Sequence, residues 1–400
     1  MLDAVALRAL DNERLDWRYK AIAPGARVVT VAEWLRARPR LSQLGTPVMT
    51  LDADALSHNI DAMARWCRDN GLGHAPHGKT SMAPQIWSRQ LEAGAGAITV
   101  ANAAQLAVAR AFGVPRVIVA NELPNPDVVR WAARGGEVTC FADSVATVSM
   151  MDQALRGDGT SIAVCVELGG RDGRAGVRDY DAARKVAATI RSAPGLRLVG
   201  VSGYEGALTH GTGPADLATV DGFLGQLRAL FESLSFETDT PMLTVGGSQY
   251  VDQVAERLGF LGGCPSRTVL RAGSYVTHDD GLYARVTPAA RGGAGPDLRA
   301  ALRLHATVLS MPEPGLAILD AGRRDLPFDA GMPLPLDLPG ATVTDLNDQH
   351  AFLRGDLTDL TVGTRVRLGI SHPCTAFDKW SLIPVLDADD VVIDAIRTFF

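Results

Sequence analysis

An alternation of short β-rich runs with helical stretches, which begins near residue 46, constrains the fold of this chain more than any other feature. SIAVCVEL (161–168) is apolar on both faces, which is typical of a parallel strand that is covered on both sides. The stretch at 53–71 follows an aspartate and ends at a glycine, as helices do. The other β-rich runs are PVMTL (47–51), AITVA (97–101), RVIVA (116–120), EVTCF (137–141), LRLVGVSG (196–203), MLTVGG (242–247) and TVLRAG (268–273). Eight such units predict a (β/α)8 barrel over residues 46–285, with functional residues at the carboxyl ends of its strands.

The alternation ends near residue 285, where a flexible connector, RGGAGPD (291–297), begins a different pattern. The apolar runs beyond it have loops between them and little helical period: ALRLHATVLSM, GLAILDAG, TRVRLGI and VVIDAI. We therefore predict a mostly β C-terminal domain over residues 286–400. The first 45 residues read as helical or irregular, and we expect them to form an extension that packs on this domain.

Charge and hydropathy exclude several classes of protein. The net charge is −6 with acidic and basic residues well mixed, so neither nucleic acid nor an anionic membrane is an expected partner. No apolar run is long enough to span a membrane, and the N-terminus lacks the pattern of a signal peptide. We expect a cytoplasmic protein. The cysteines are few and irregularly spaced, which argues against a disulfide framework: Cys67, Cys140, Cys165, Cys264 and Cys374.

The segment GHAPHGKTSMAP (73–84) contains the first candidate for chemistry. In an extended strand His74 and His77 point to opposite faces, so a shared metal is not expected. His77 and Lys79 share a face, and Lys79 stands at a strand end between glycine and threonine, where barrels place catalytic residues. The segment lacks the glycine-rich lead of a P-loop. A solvated surface lysine is the alternative.

A glycine-rich loop follows the strand at 161–168 and carries Arg171, Arg174 and Arg178. Glycines allow the backbone to approach a ligand closely, and an arginine there can donate to an anion or to a ring oxygen or nitrogen. Tyr204 stands at the end of another strand. A solvated loop remains the alternative for each of these segments.

The loop TVGGSQY (244–250) follows a further strand. Backbone amides around Gly246 and Gly247, together with the Ser248 hydroxyl, could cradle a phosphate. Glycine–glycine–serine turns are common, so the pattern alone is weak.

The segment ISHPCTAFDKW (370–380) places His372 and Cys374 two residues apart after an apolar run. An extended backbone would direct both side chains at one point, and imidazole with thiolate is a good zinc pair. Two ligands leave coordination positions open for water or substrate, which is the catalytic pattern. The alternative is a core histidine beside a buried thiol.

Taken in order, these motifs resemble those of a known family: TPVMTLDADALSHNI, PHGKT, a GxxRxG loop, YEG, GGS, RAGSYVTHDD and SHPC. The chain resembles the fold-type III pyridoxal-phosphate enzymes, the alanine-racemase-like barrels. Within them it is similar to the D-serine dehydratase and D-threonine aldolase branch, and its LDWRYK extension to a bacterial amino acid deaminase subgroup. The resemblance covers residues 45–385.

The resemblance implies a role for each candidate. Lys79 would be the catalytic lysine that binds the cofactor aldehyde covalently. Further cofactor contacts would come from His77, Arg174, Tyr204, Gly246, Gly247, Ser248 and Tyr275. His372 and Cys374 would bind a divalent metal, most simply zinc, and relatives are homodimers. The chain departs from the family pattern at Ala75 and Ser81, where an arginine and a histidine are usual.

The same resemblance implies a lyase that acts on D-β-hydroxy amino acids. The second metal ligand is typically cysteine in the dehydratases and aspartate in the aldolases, so Cys374 favours dehydration to a 2-oxo acid and ammonia. A D-threonine-type aldolase is the first alternative. A metal-free amino acid racemase and a non-catalytic pyridoxal-phosphate carrier remain further alternatives, and neither of them needs zinc.

Overall fold

The computed structural model describes residues 2–20, 22, 27–261 and 268–400; Cys264 lies outside them. The N-terminal segment contains short elements: α1 (Ala4–Ala9), β1 (Arg14–Leu15), β2 (Val29–Thr30) and α2 (Val31–Arg36). Leu15, Tyr19 and Val31 pack against Leu382 and Ala395 near the C-terminus. This part of the segment therefore contacts the C-terminal sheet, whereas the amide of Asp3 donates to the carbonyl of Phe112 in the barrel. Next along the chain is β3 (Val48–Asp52).

Eight parallel strands form the barrel: β4 (Gly73–His74), β5 (Ile98–Val100), β6 (Arg116–Glu122), β7 (Glu137–Ala142), β8 (Ile162–Leu168), β9 (Leu196–Gly203), β10 (Met242–Val245) and β11 (Thr268–Leu270). They follow chain order from β5 to β11, and β4 pairs with β11. A parallel bridge between His77 and Thr99 closes the ring. Ala75, Ile118 and Phe141 belong to a layer of apolar side chains that fills the interior.

Helices connect successive strands: α3 (Ala53–Asp69), α4 (Pro84–Glu92), α5 (Ala103–Ala111), α6 (Pro126–Ala133), α7 (Val145–Leu155), α8 (Tyr180–Ser192), α9 (Pro214–Ser233) and α10 (Val251–Leu258). Their starts are encoded locally. Asp52, Ser144 and Asp179 accept backbone N–H groups of the first turn, and three helices begin with proline. Within the described ranges, no helix has both the length and the apolarity that a membrane crossing requires.

The C-terminal region follows α11 (Leu282–Val286) and contains β12 (Leu302–Glu313), β13 (Leu316–Leu319), β14 (Leu334–Pro335), β15 (Thr342–Leu346), β16 (Ala351–Arg354), β17 (Arg365–Gly369), α12 (Cys374–Phe377), β18 (Leu382–Leu386) and β19 (Val392–Arg397). Its strands form one sheet in the order β15-β16-β13-β12-β3-β18-β19, and β17 pairs with both β12 and β14. The predicted fold class, a barrel with a mostly β C-terminal domain, is confirmed.

One predicted barrel strand belongs to the other sheet. The run at 47–51 forms β3, which pairs antiparallel with β12 and parallel with β18. The first barrel strand is instead Gly73–His74, which continues through Pro76 into the loop of Lys79. Its two residues carry no periodic signal, whereas an apolar five-residue run fits either sheet. Residues 47–51 therefore form a strand, as predicted, but this strand belongs to the C-terminal sheet and not to the barrel.

Candidate active site

Loops after the barrel strands meet a loop of the C-terminal domain at one cavity, here called the carboxyl-end cavity. This is the edge of a barrel where functional residues concentrate. The predicted residues that line it are His77, Lys79, Arg174, Tyr204, Gly246, Gly247, Ser248, His372 and Cys374. The structure thus brings together residues from five separate segments of the chain.

Lys79 lies on a single 3₁₀ turn (Gly78–Thr80) directly after the first barrel strand. Burial lowers the pKa of its amine, and the nearby Arg174 and Arg271 guanidinium groups act in the same direction against the opposing effect of Cys374. A larger fraction of the amine is therefore neutral near pH 7 than in water. A neutral amine can attack an aldehyde or accept a proton.

His77 and His74 lie on opposite faces, as the spacing predicts. The His77 ring lines the carboxyl-end cavity, whereas His74 packs edge-on against Tyr275 outside the barrel interior. Burial, followed by the charge of Lys79, holds the pKa of His77 well below its ordinary value, so the ring is neutral. Its buried Nδ1 atom has no hydrogen-bond partner, which points to a group that the site still has to receive.

Arg174 and Tyr204 form a stacked pair at the cavity. The guanidinium carbon of Arg174 lies 4.9 Å from the centre of the Tyr204 ring. Such a pair is held by the cation–π interaction and keeps the guanidinium edge free to donate hydrogen bonds. Arg178 instead donates to carbonyls of its own loop, including those of Ala175 and Gly176.

The glycine loop after β10 lies over a buried carboxylate. The Oε1 atom of Glu205 accepts the amide of Gly247 at 2.9 Å, and Glu205 is completely buried. Gly246 has φ +112°, a conformation that side chains rarely adopt. A Cβ at this position would lie 2.5 Å from Cδ1 of Leu270. The loop therefore has a fixed shape that only glycine permits at Gly246.

The residues of the cavity fit pyridoxal phosphate. A buried amine of lowered pKa suits an aldehyde, and the free edge of the Arg174 guanidinium suits the ring oxygen. The Gly246–Ser248 loop suits a phosphate through the Ser248 hydroxyl, because the Gly247 amide is already bound to Glu205. The unpartnered His77 nitrogen is the observation that most directly points to a missing ligand.

His372 and Cys374 come together through a different backbone from the one we predicted. The expected extended strand is absent: His372 has φ +85°, and Cys374 opens the short helix α12. The imidazole nevertheless lies beside the thiol, and both side chains line the carboxyl-end cavity. That contact and the Asp329 carboxylate raise the pKa of His372 to about 9.

The neighbours of Cys374 favour the ionised form of its thiol. Burial alone would raise the pKa of the thiol, but the hydrogen bond and charge of His372 bring it below the ordinary value. The hydroxyls of Thr80 and Ser274 lie 3.3 Å and 3.4 Å from its sulfur. A thiolate beside an imidazole is the donor set that zinc prefers, so these residues fit a zinc ion.

Within the described residues, His372 and Cys374 do not belong to a larger cluster of side chains that could bind a metal. Across residues 2–20, 22, 27–261 and 268–400, no group of three or more histidine, cysteine, aspartate or glutamate side chains is arranged to hold a metal. A metal on His372 and Cys374 would thus keep open positions, which is the arrangement that catalysis requires.

Tyr275 is the one predicted site residue that the structure does not bring to the cavity. Its phenol accepts a hydrogen bond from Gln90 at 2.9 Å, and its ring is fully buried against His74. The 3₁₀ turn Ser274–Val276 directs Ser274 to the cavity and Tyr275 away from it. The tyrosine that lines the cavity from this region is Tyr283.

Sequence reasoning also missed the floor of the cavity. Arg271 is buried and donates to Thr244 and to the carbonyl of Gly203 at 2.9 Å each. Beside it, burial and then the neighbouring Glu122 raise the pKa of Glu167 to about 8. Arg271 follows the last barrel strand directly, so the positional rule that selected Lys79 could have found it.

Comparison with known proteins places the chain among families that share this architecture. Residues 51–249 match the family described as "Alanine racemase, N-terminal domain", and residues 301–386 match the "Putative serine dehydratase domain". The first match covers most of the barrel, and the second covers most of the β domain. Most residues that line the carboxyl-end cavity fall within the matched regions, whereas Arg271, Ser274 and Tyr283 lie between them.

Individual relatives extend along most of the chain. The D-threonine aldolase of Arthrobacter sp is 29% identical over 88% of this chain and 92% of its own length. The crystal structure of D-threonine aldolase from Filomicrobium marinum has a TM-score of 0.80 and 26% identity, covering 90% of this chain and 97% of that one. A D-threo-3-hydroxyaspartate dehydratase, solved as a cysteine-to-alanine mutant in the metal-free form, has a TM-score of 0.75 and 25% identity, with coverage of 90% and 99%.

Proposed function

This chain belongs to the fold-type III pyridoxal-phosphate enzymes and is a lyase of that class; we propose that it removes water from a D-β-hydroxy amino acid and releases a 2-oxo acid and ammonia. Atoms balance in this reaction, because the water lost in elimination is regained when the product is hydrolysed. The net change is an amino acid converted to an oxo acid and ammonia.

The observation that carries this proposal is the presence of a His372–Cys374 pair in the same cavity as a buried lysine. In the branch that the chain resembles, cysteine is typical of the dehydratases and aspartate of the aldolases. The similar D-threo-3-hydroxyaspartate dehydratase, whose cysteine-to-alanine mutant is known in a metal-free form, supports a cysteine ligand here.

Lys79 would act on the α-carbon. Pyridoxal phosphate, when bound, makes that carbon acidic by delocalising the carbanion. The Lys79 amine, whose pKa is lowered by burial, would accept the α-proton. Arg174, stacked on Tyr204, would donate to the ring, and Ser248 would hold the phosphate.

His372 and Cys374 would act on the β-carbon. A divalent metal held there, which we propose to be zinc, would polarise the β-hydroxyl and make its departure easier. The hydroxyls of Thr80 and Ser274 stabilise the thiolate, so the cysteine is kept in the form that binds metal. Tyr283 lines the same cavity and would limit the space around the β-hydroxyl.

Cleavage between the α- and β-carbons is the second candidate. The D-threonine aldolase relatives, one at 29% identity and one at a TM-score of 0.80, favour it. The same residues could serve, with the metal promoting removal of the hydroxyl proton instead of loss of the hydroxyl group. The products would then be glycine and an aldehyde.

Product analysis separates the two reactions. Purified protein loaded with pyridoxal phosphate and Zn²⁺ is incubated with D-serine, D-threonine or D-threo-3-hydroxyaspartate. We expect equal amounts of 2-oxo acid and ammonia. Glycine with an aldehyde would establish the aldolase, and neither product would exclude both. In Cys374→Asp we expect the ratio of oxo acid to glycine to fall at least tenfold.

We also propose that the protein acts as a homodimer, as the resemblance implies. The side chains of Phe328 and Met332 are 44% and 38% exposed, and they flank the segment that contacts His372. A partner subunit covering them would complete the mouth of the cavity. Light scattering during size-exclusion chromatography tests this, and a monomer mass at micromolar concentration would contradict it.

A further inference from the structure

We propose that Asp329 is a positioning residue that orients His372 toward the metal, and that Lys20 of the N-terminal segment holds the loop carrying Asp329 in place. The inference rests on the metal site proposed above but concerns residues outside it. It assigns a role to the N-terminal segment, which the sequence alone left without one.

The first observation is the contact between Asp329 and the ring. Oδ2 of Asp329 lies 2.6 Å from Nδ1 of His372, and its other oxygen accepts the hydroxyl of Thr375 at 2.6 Å. The carboxylate is thus fixed at both oxygens. A carboxylate on one imidazole nitrogen selects the tautomer whose other nitrogen is free to bind metal.

The second observation concerns the backbone of His372. Its φ of +85° is unusual for a residue with a side chain. Oδ2 of Asp279 accepts the His372 amide at 2.9 Å, and Oδ1 of the same carboxylate accepts the amides of Gly281 and Tyr283. Strained conformations persist where the surroundings determine them. Asp279 fixes the backbone of His372, and Asp329 fixes its ring.

The third observation is the anchoring of the loop. Asp329 lies in the irregular segment between β13 and β14. The Lys20 amine donates to Oδ1 of Asp325 and to the carbonyl of Arg324, each at 2.8 Å. Asp325 is 2% exposed, whereas the Lys20 side chain is 40% exposed, so a partly exposed amine pairs with a buried carboxylate.

The same lysine also contacts the metal segment. Its amine lies 4.7 Å from the centre of the Trp380 ring, and the Trp380 indole donates to the carbonyl of Asp325 at 3.0 Å. Trp380 ends the short segment that begins at His372. Lys20 therefore joins the loop of Asp329 to the segment of the metal ligands, although it is more than 300 positions away from both in sequence.

The alternatives are that Asp329 is itself a metal ligand or that it only stabilises the fold. If Asp329 were a ligand, a variant without its carboxylate would bind no zinc. A purely structural residue would change the unfolding midpoint of the metal-free protein without a specific change in metal affinity. A positioning role predicts a third pattern. The variant would bind the normal amount of zinc with a weaker affinity, and the unfolding midpoint of the metal-free protein would not change.

The test measures the dissociation constant of Zn²⁺ by competition with a chromophoric chelator, using protein that contains its cofactor. We expect Asp329→Ala to weaken binding by roughly 10- to 100-fold. Asp329→Asn, which keeps an acceptor for the ring, should recover part of that loss. Asp348→Asn is the matched control, because Asp348 forms an exposed pair with Arg324 in the same domain.

Three outcomes would overturn the assignment. An unchanged dissociation constant removes the positioning role, and zinc absent at saturation, as expected for His372→Ala, makes Asp329 a ligand. A lower unfolding midpoint of the metal-free protein makes its role structural. These results do not depend on turnover, so a failed dehydratase assay with an intact effect of Asp329→Ala would refute the proposed function alone.

The role of Lys20 is tested by a double-mutant cycle. Lys20→Met combined with Asp325→Asn removes the ion pair without leaving the buried Asp325 carboxylate charged and unpaired. We expect this change to weaken zinc binding several-fold in the wild-type background and to have little further effect in Asp329→Ala, because Lys20 acts through Asp329. Equal effects in both backgrounds would overturn the link.

Discussion

A lysine amine in water is almost entirely protonated at neutral pH, whereas burial lowers the pKa of Lys79. Desolvation lowers this pKa most, and the like charges of Arg174 and Arg271 add to the shift against the opposing effect of Cys374. We expect Lys79→Ala to lose the visible absorbance of lysine-bound cofactor and at least 1,000-fold in turnover. Lys185→Ala, an exposed helical lysine, should retain both. An unchanged spectrum in Lys79→Ala would place the aldehyde on another residue.

Gly246 offers a second test at the residue scale. Gly246→Ala should weaken binding of pyridoxal phosphate more than tenfold, because the new methyl group collides with Leu270 and the backbone conformation is unfavourable. Titration of cofactor-free protein with pyridoxal phosphate measures the effect. Gly157→Ala is the control: φ is +79°, but nothing lies within 4 Å of the added atom. Equal affinity in the two variants would contradict a precisely shaped phosphate loop.

Single residues could be predicted where a strand end determined their direction. Lys79, Tyr204 and the Gly246–Ser248 loop all follow barrel strands directly, and all line the cavity. Tyr275, which only the resemblance suggested, does not line the cavity, because the 3₁₀ turn Ser274–Val276 directs its ring against His74. Asp329 could not be found at all, since it lies in an irregular loop without any period.

At the scale of elements, the spacing of His372 and Cys374 correctly predicted that their side chains lie together, although the predicted extended backbone was wrong. The left-handed His372 and the start of α12 bring the ring and the thiol together without a strand. Its geometry depends on Asp279, a residue more than 90 positions earlier. Long-range contacts of this kind are invisible to a local pattern.

The same element gives a prediction about metal removal. His372→Ala and Cys374→Ala should each lose bound zinc and water elimination while keeping the absorbance of lysine-bound cofactor, because neither residue touches the proposed phosphate loop. Atomic absorption and a spectrum of the same sample measure both properties. Cys67→Ala, which changes a buried and free cysteine that does not line the carboxyl-end cavity, should keep its zinc. Zinc retained in both site variants would exclude the assignment.

For the whole molecule, the sequence predicted a barrel and a mostly β C-terminal domain, but not that a strand preceding the barrel belongs to the C-terminal sheet. The alternation of strand and helix was enough for the barrel, since each unit is encoded by its own caps and apolar runs. It could not show that β3 leaves the barrel to become a central strand of the other sheet. That choice depends on pairing with β12, about 250 residues later, and on no property of the run itself.

Two buried histidines, one in each part of the molecule, lead to a prediction about stability and pH. Burial lowers the pKa of both His74 and His305 to about 4. The unfolded chain binds a proton near pH 6.5 while the folded protein does not, so stability falls as pH decreases from 6.5 to 4 and falls no further from this cause below that. Each ring accounts for roughly 3 kcal/mol across that interval.

Urea unfolding at pH 7 and at pH 5 measures this effect. We expect His305→Asn to be less stable than the wild type at pH 7, because the ring is buried and contacts Thr50, yet to lose less stability between the two pH values. His350→Asn, an exposed histidine of the same domain, should follow the wild type at both. Carboxylates titrate equally in all three proteins. A difference in the stability lost between pH 7 and pH 5 is therefore caused by His305. Parallel slopes would mean that the ring is already protonated in the folded protein at pH 5, and that water or a movement of the β domain reaches it despite its burial.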